Sequence, residues 1–297
     1  MWHGVFPAVT TKFGVDGGLD AAEMERCFDL QVQAGVHGII VCGSLGESMM
    51  LEPEEKIEIL KIAKSVAGER PVLMTVCESS TPRAQKVAKA AAAAGADGFM
   101  VLPGVPYKSA PHETIAHIEA VASAGELPVM VYNNPVAYGV DVTLSMFDQL
   151  AKNELIVAMK ESTDDIRRTT EVLTRFGTRF DVFMGVDNLA LEALLVGAHG
   201  WVAGLVDAFP RETVVIYELV KQGRVAEALE IYRWFRPLLD LDVSTNLVQN
   251  IKLAEVLAIG SNDRVRAPRL PLAGAERERV EGIIKAALAV RPEMPKL

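Results

Sequence analysis

One short pattern recurs three times in the chain and restricts its folding more than any other feature. In Ala34-Gly35-Val36-His37-Gly38-Ile39-Ile40-Val41, Ala94-Gly95-Ala96-Asp97-Gly98-Phe99-Met100-Val101 and Val196-Gly197-Ala198-His199-Gly200-Trp201-Val202-Ala203, a glycine, two residues and a second glycine precede an apolar run. The first glycine suits the left-handed residue that ends a helix, and the run is short enough for a strand buried on both faces. Each copy reads as helix end, turn and strand. Further apolar runs at 5–9, 71–76, 127–132, 155–160 and 180–184 bring the strand candidates to eight. Between them, apolar residues at helical spacing (Ile59, Ile62, Ala63, Val66; Ala84, Val87, Ala88, Ala91) predict amphipathic helices.

Strands that alternate with helices pair in parallel through crossovers. Eight such units in roughly 220 residues fit an α/β fold of the (β/α)8 TIM barrel type better than an open doubly wound sheet, the alternative. We assign 1–223 to the barrel and 224–297 to a C-terminal helical extension. There Val225, Ala228, Leu229, Tyr232 and later Val280, Ile283, Ile284, Ala287 keep helical spacing with no strand between. Lys221-Gln222-Gly223 is only a turn, so the extension should pack on the barrel as one unit with it, and its surface is a plausible oligomer contact.

Composition excludes several functions. The formal charge of −9 argues against a nucleic-acid surface, which needs a basic stripe. No apolar run approaches the roughly 18 residues of a membrane span. The first ten residues lack a signal peptide's basic and apolar regions, making the cytosol the expected compartment. Cys27, Cys42 and Cys77 have neither disulfide nor zinc spacing, and His3, His37, His112, His117 and His199 have no HExxH spacing, so no metal is expected. There is no G-x-x-x-x-G-K-[ST] and no G-x-G-x-x-G loop, so no nucleotide or other cofactor is expected. Gly200 and Gly204 flank the last strand, but no basic residue follows before Arg211 to make a phosphate site.

In such a barrel, chemistry belongs at the carboxyl ends of the strands. Lys160 ends the run 155–160, where lost hydration lowers an amine's pKa and frees it to attack a carbonyl or imine carbon. Tyr132 ends 127–132 and opens Asn133-Asn134-Pro135, placing a phenol at the same rim for proton transfer. Gly43-Ser44-Leu45-Gly46-Glu47-Ser48 follows the second strand; its glycines let backbone N–H groups face an anion, and the Ser44 hydroxyl adds a donor.

In this order and spacing, Gly43-Ser44-Leu45-Gly46-Glu47, Tyr132-Asn133-x-Pro135, Lys160-Glu161 and Gly185 before Asp187 resemble the dihydrodipicolinate synthase and N-acetylneuraminate lyase superfamily. The resemblance implies a Schiff-base Lys160 attacking a 2-oxo acid, Tyr132 relaying protons, and carboxylate binding by Ser44, Leu45 and Gly46. Gly185 and Val202 would line the pocket, with Tyr107, Tyr138 and Asn134 as further candidates. It also implies a small-molecule carboxylate substrate and a homotetramer. The synthases carry an arginine five residues after the tyrosine to hold a second carboxylate; here that position is Ala137. Leu45 stands where they have a hydroxyl residue, and Tyr107 is shifted from the tyrosine they send to a neighbouring subunit.

The fuller strings Gly4-Val-Phe-Pro-Ala-Val-Thr-Thr11, Tyr132-Asn-Asn-Pro-Val-Ala-Tyr-Gly-Val-Asp141 and Tyr232-Arg-Trp-Phe-Arg-Pro-Leu238 are similar to one branch, the 1-pyrroline-4-hydroxy-2-carboxylate deaminases. That branch implies release of 2,5-dioxopentanoate and ammonia. The alternatives are an aldolase or dehydratase of 2-keto-3-deoxy sugar acids, a synthase-like lyase of the same superfamily, and a noncatalytic barrel.

Overall fold

The computed structural model describes residues 2–104 and 107–297. Eight strands form one parallel sheet: β1 (Gly4–Pro7), β2 (Ile39–Val41), β3 (Val72–Val76), β4 (Gly98–Val101), β5 (Val129–Asn133), β6 (Ile156–Glu161), β7 (Asp181–Met184) and β8 (Gly200–Ala203). Hydrogen-bonded order runs β1-β8-β7-β6-β5-β4-β3-β2. Between β1 and β2 the ring is completed by a parallel bridge from Ala8 to Ile40 and by the His37 N–H donating to the Val5 carbonyl at 2.9 Å. The fold is a (β/α)8 TIM barrel. The expected strands are all present, with ends displaced by one or two residues; the first stops at Pro7, and β5 and β6 each run one residue further than expected.

The repeated pattern now has a physical account at both of its glycines. Gly35, Gly95 and Gly197 all have positive φ, at 93°, 91° and 108°, which a side chain would strain. The second glycines make room instead. A Cβ on Gly38 would lie 2.2 Å from the Phe6 ring, one on Gly98 would lie 2.6 Å from Trp2, and one on Gly200 would lie 2.3 Å from Phe183. Small residues at the start of a strand thus admit large side chains from its neighbours.

Alternation along the strands separates two packed layers. Ile40, Leu73, Met100, Met130, Ala158 and Phe183 belong to the cluster that includes the barrel interior. Ile39, Val41, Val72, Met74, Val129 and Val131 pack with the surrounding helices, such as Pro53–Ala67 and Thr81–Ala93. The Thr81–Ala93 helix buries Ala84, Val87, Ala88 and Ala91, as its spacing predicts. In Pro53–Ala67 the buried face is Ile59, Leu60, Ala63 and Ala67; Ile62 and Val66 sit at its edge.

After the last barrel helix, Pro210–Lys221, the chain is helical: Val225–Leu239, Leu247–Ile259 and Gly274–Ala289. Ala228, Tyr232 and Phe235 bury the first of these, while Val280, Ile284 and Ala287 bury the last. No helix among the described residues is long and apolar enough to cross a membrane.

Phe183 is fully buried and meets Phe6 edge to face at 5.2 Å between centroids. Phe183→Ala is therefore expected to lower stability in urea unfolding by about 3–5 kcal/mol. Val15→Ala, at a position 95% exposed, should change it by no more than about 0.5 kcal/mol. Equal effects of the two would contradict this packing.

Candidate active site

The carboxyl ends of β5, β6 and β7 carry the first group of site residues. Tyr132 on β5 is in register with Lys160 on β6, and the lysine in turn with Phe183 on β7, so neighbouring strands deliver phenol and amine to the same level. The Lys160 ammonium nitrogen lies 4.1 Å from the centroid of the Tyr132 ring. Lys160 is 7% exposed and Tyr132 is 5% exposed. Burial lowers the Lys160 pKa to about 8 against the opposing pull of Asp242 and Asp187. The same desolvation pushes the Tyr132 phenol up, opposed by the Asn134 amide, which donates to its oxygen at 3.0 Å.

Gly185 is required for this placement. A Cβ there would come within 2.2 Å of the Ser162 hydroxyl and 2.4 Å of Lys160 Cε. The lysine chain occupies the volume that any other residue at 185 would fill.

The loop after β2 brings the second group. Cys42 and Glu47, neither of them glycine, hold positive φ of 57° and 54° at the two ends of Gly43-Ser44-Leu45-Gly46. Such backbone persists where its surroundings impose it. Here the Thr11 hydroxyl donates to the Gly46 carbonyl at 2.7 Å, and a Cβ on Gly46 would press against the Cys42 backbone at 3.0 Å. Gly46 thus shapes the turn from behind and does not line the cavity. Gly43 lines it instead. The Ser44 hydroxyl is hydrogen-bonded to the Tyr138 hydroxyl, and the Tyr138 ring meets Tyr132 edge to face at 5.9 Å. Ser44, Tyr138, Tyr132 and Lys160 therefore form one chain of contacts.

These residues surround a cavity of about 600 Å³ at the carboxyl end of the barrel. Ser44, Leu45, Tyr132, Asn134, Tyr138, Lys160, Gly185 and Val202 all line it, as does Ala137. Tyr107 does not; it lies 59% exposed on the surface, near Glu113. Within a single protomer Tyr107 therefore stands apart from the cavity.

Other motif residues turn out to support the site. Asn133 donates to Asp141 at 3.0 Å and to Glu161 at 3.2 Å, tying the ends of β5 and β6. Asp187 accepts from Trp201 Nε1 at 2.8 Å and from the Gly204 and Leu205 N–H groups, fixing the loop after β8. The Tyr232 hydroxyl donates to the Asp187 carbonyl at 3.2 Å, giving that string a packing role. His37 and His199 accept backbone N–H bonds from Val5 and Val182 at the opposite end of the barrel.

Sequence reasoning missed three contributors from the C-terminal helices and the loops joining them. Lys252 forms a 2.5 Å ion pair with Glu47 in which neither side chain is exposed, clamping the Ser44 loop from outside. Arg269 lines the cavity and reaches Glu47 at 3.7 Å. Asp242 also lines it. The two loop residues lie in turns between helices, where no local pattern marks a side chain as functional.

Comparison with known proteins agrees with this architecture. Residues 1–287 match the model of the dihydrodipicolinate synthetase family. The 4-hydroxy-tetrahydrodipicolinate synthase of Methanospirillum hungatei is 33% identical over 289 residues, covering 95% of this chain and 97% of that protein. Among solved structures, the 4-hydroxy-tetrahydrodipicolinate synthase of Methylacidiphilum fumariolicum superposes with a TM-score of 0.90 at 26% identity, covering 98% of each chain. A sialic acid aldolase of Ruminococcus gnavus superposes with a TM-score of 0.92 over 99% of this chain and 98% of that one; at 22% identity it shares the fold. A match over nearly the whole length, joined to a full barrel, places the chain in one family: it belongs to the dihydrodipicolinate synthetase family.

Proposed function

We propose that this chain is a Schiff-base-forming deaminase that converts 1-pyrroline-4-hydroxy-2-carboxylate to 2,5-dioxopentanoate and ammonia. The observation that carries the reading is a desolvated amine, Lys160, beside a phenol in a cavity whose wall at position 137 is a methyl group. The amine adds to C2 and displaces the ring nitrogen; Tyr132 moves the protons of that exchange, with Ser44 and Tyr138 as its continuation. The single carboxylate of the substrate is held by the backbone of the Ser44 loop. The 4-hydroxyl leaves as water through an enamine, and hydrolysis releases the products. One water is consumed overall, with no redox change and no cofactor.

A second reading, a synthase-like lyase acting on a 2-oxo acid with the same lysine, is favoured by the relatives' names. One feature of the cavity also suits it: Arg269 lines the wall with its Nη1 at 3.7 Å from Glu47 and no hydrogen-bond partner among the described residues, so a guanidinium held only by that ion pair stands near a second anion at a position other than 137. We extend both readings to a homotetramer, as the family resemblance implies, and sedimentation velocity tests it.

Ammonia release from the hydroxypyrroline carboxylate is expected in the wild type and should vanish in Lys160→Ala. Formation of 4-hydroxy-tetrahydrodipicolinate without ammonia release would establish the second reading instead. In Tyr132→Phe, turnover should fall by about 100-fold or more. Borohydride trapping of pyruvate on Lys160 should speed up with pH and level off above about 8; a lysine of ordinary pKa would carry the rise to about 10.

A further inference from the structure

Asp242 has no place in any motif read from the sequence. It lies three residues after the helix Val225–Leu239, with its N–H bonded to the Leu239 carbonyl at 3.1 Å, and from there its side chain reaches over the mouth of the barrel. It lines the same cavity as Lys160 and Tyr132. The place it occupies is specific. A Cβ on Gly204 would lie 2.4 Å from Asp242 Oδ1 and 2.8 Å from Leu45 Cδ1, so the carboxyl fills the space left by a missing side chain beside the Ser44 loop. Oδ1 is shut off from water, yet no group among the described residues donates to it.

A buried carboxyl oxygen without a donor is costly as an anion and well suited to the neutral acid. Burial raises the Asp242 pKa well above the usual range; Asp187 adds to the rise and Lys160 opposes it. Asp187, by contrast, accepts from Trp201 Nε1 and two backbone N–H groups. Of the two carboxyls near Lys160, the one buried behind the cavity is bonded by the protein, and the one that lines the cavity has an oxygen left for something else.

We propose that Asp242 is the general acid of the site, donating its proton to the hydroxyl group that leaves C4 of the lysine-bound substrate. This rests on the elimination step of the proposed deaminase. In that step the nitrogen lone pair of the enamine moves in to form the iminium between Lys160 and C2. The π pair of the enamine C2=C3 bond becomes the C3–C4 double bond, the C2–C3 single bond remains, and the C4–O bond breaks. The departing oxygen takes the bonding pair and the Asp242 proton and leaves as water. The resulting carboxylate then faces the cationic iminium and is reprotonated from solvent before the next turnover.

The test uses Asp242→Asn and Asp242→Glu in the full-length protein with the hydroxypyrroline carboxylate, read by ammonia release and by the mass of the borohydride-trapped Lys160 peptide. The asparagine variant should still bind substrate and form the adduct, with little change in KM. Its turnover should drop by about 100-fold or more. Its trapped adduct should retain the hydroxyl, heavier by one water than the dehydrated adduct trapped in the wild type. The glutamate variant, which keeps an acid, should recover most of the loss; a merely structural role would leave the adduct mass unchanged. Turnover within a few-fold of an active wild type, or a dehydrated adduct in Asp242→Asn, overturns the acid and leaves the deaminase standing. A wild type that forms no adduct with this substrate overturns both.

Discussion

The arrangement of the site depends on keeping one amine out of water. Lowering a lysine from its ordinary value to about 8 corresponds to about 3 kcal/mol set against the charged form, at 1.36 kcal/mol per pKa unit. The barrel can hold the side chain there because β6 is flanked by strands whose ends leave it room: Gly185 after β7 has no Cβ, and Tyr132 on β5 offers the face of its ring. Phenol, hydroxyl and amine then follow from strand register, since the same pairing that closes the sheet sets Tyr132 beside Lys160. Barrel closure and reactivity have one geometric cause.

The C-terminal helices are part of this machinery. Lys252 neutralises Glu47 beneath the Ser44 loop, the Arg266 N–H donates to the same carboxylate at 3.1 Å, and Tyr232 buttresses Asp187. A buried pair such as Glu47 with Lys252 contributes little net stability, since both partners lose hydration; losing one member leaves the other stranded. Its main effect is to fix the position of a loop whose flanking residues hold an unfavourable backbone conformation. Lys12 with Glu255, at 2.5 Å and equally buried, repeats the arrangement between the chain that follows β1 and the Leu247–Ile259 helix. The barrel and these helices thus share their charged core residues.

The fold was legible because its signals are local. A helix-ending glycine and an apolar run need only adjacent residues to be recognised, and Gly35, Gly95 and Gly197 adopt the positive φ expected of them. The reason for the second glycine was not legible, since Phe6 and Phe183 come from other strands. The same division runs through the site. Lys160, Tyr132 and the Ser44 loop stand at strand ends, where topology alone predicts function. Asp242, Arg269 and Lys252 enter from turns and a helix more than eighty residues beyond Lys160, and only the tertiary packing brings the first two to the cavity and the third against the Ser44 loop. Gly46 shows the same division: a glycine that faces an anion and a glycine that shapes the turn behind it look alike in one dimension, and only the packing sets Gly46 off the cavity wall.

Two carboxyls near one lysine would ordinarily make it a stronger base, and both do oppose the fall in its pKa. Their surroundings nonetheless separate them. Asp187 is raised by burial but held back by its N–H donors, whereas Asp242 is raised by burial and by Asp187 with only Lys160 pulling the other way. The polarity also suits the order of events. As the proposed acid, Asp242 gives up its proton only after the iminium has formed, and the new carboxylate then faces a cation. With a formal net charge of −9 unable to attract an anion from a distance, the proposed capture of a carboxylate falls to the short-range donors of the Ser44 loop.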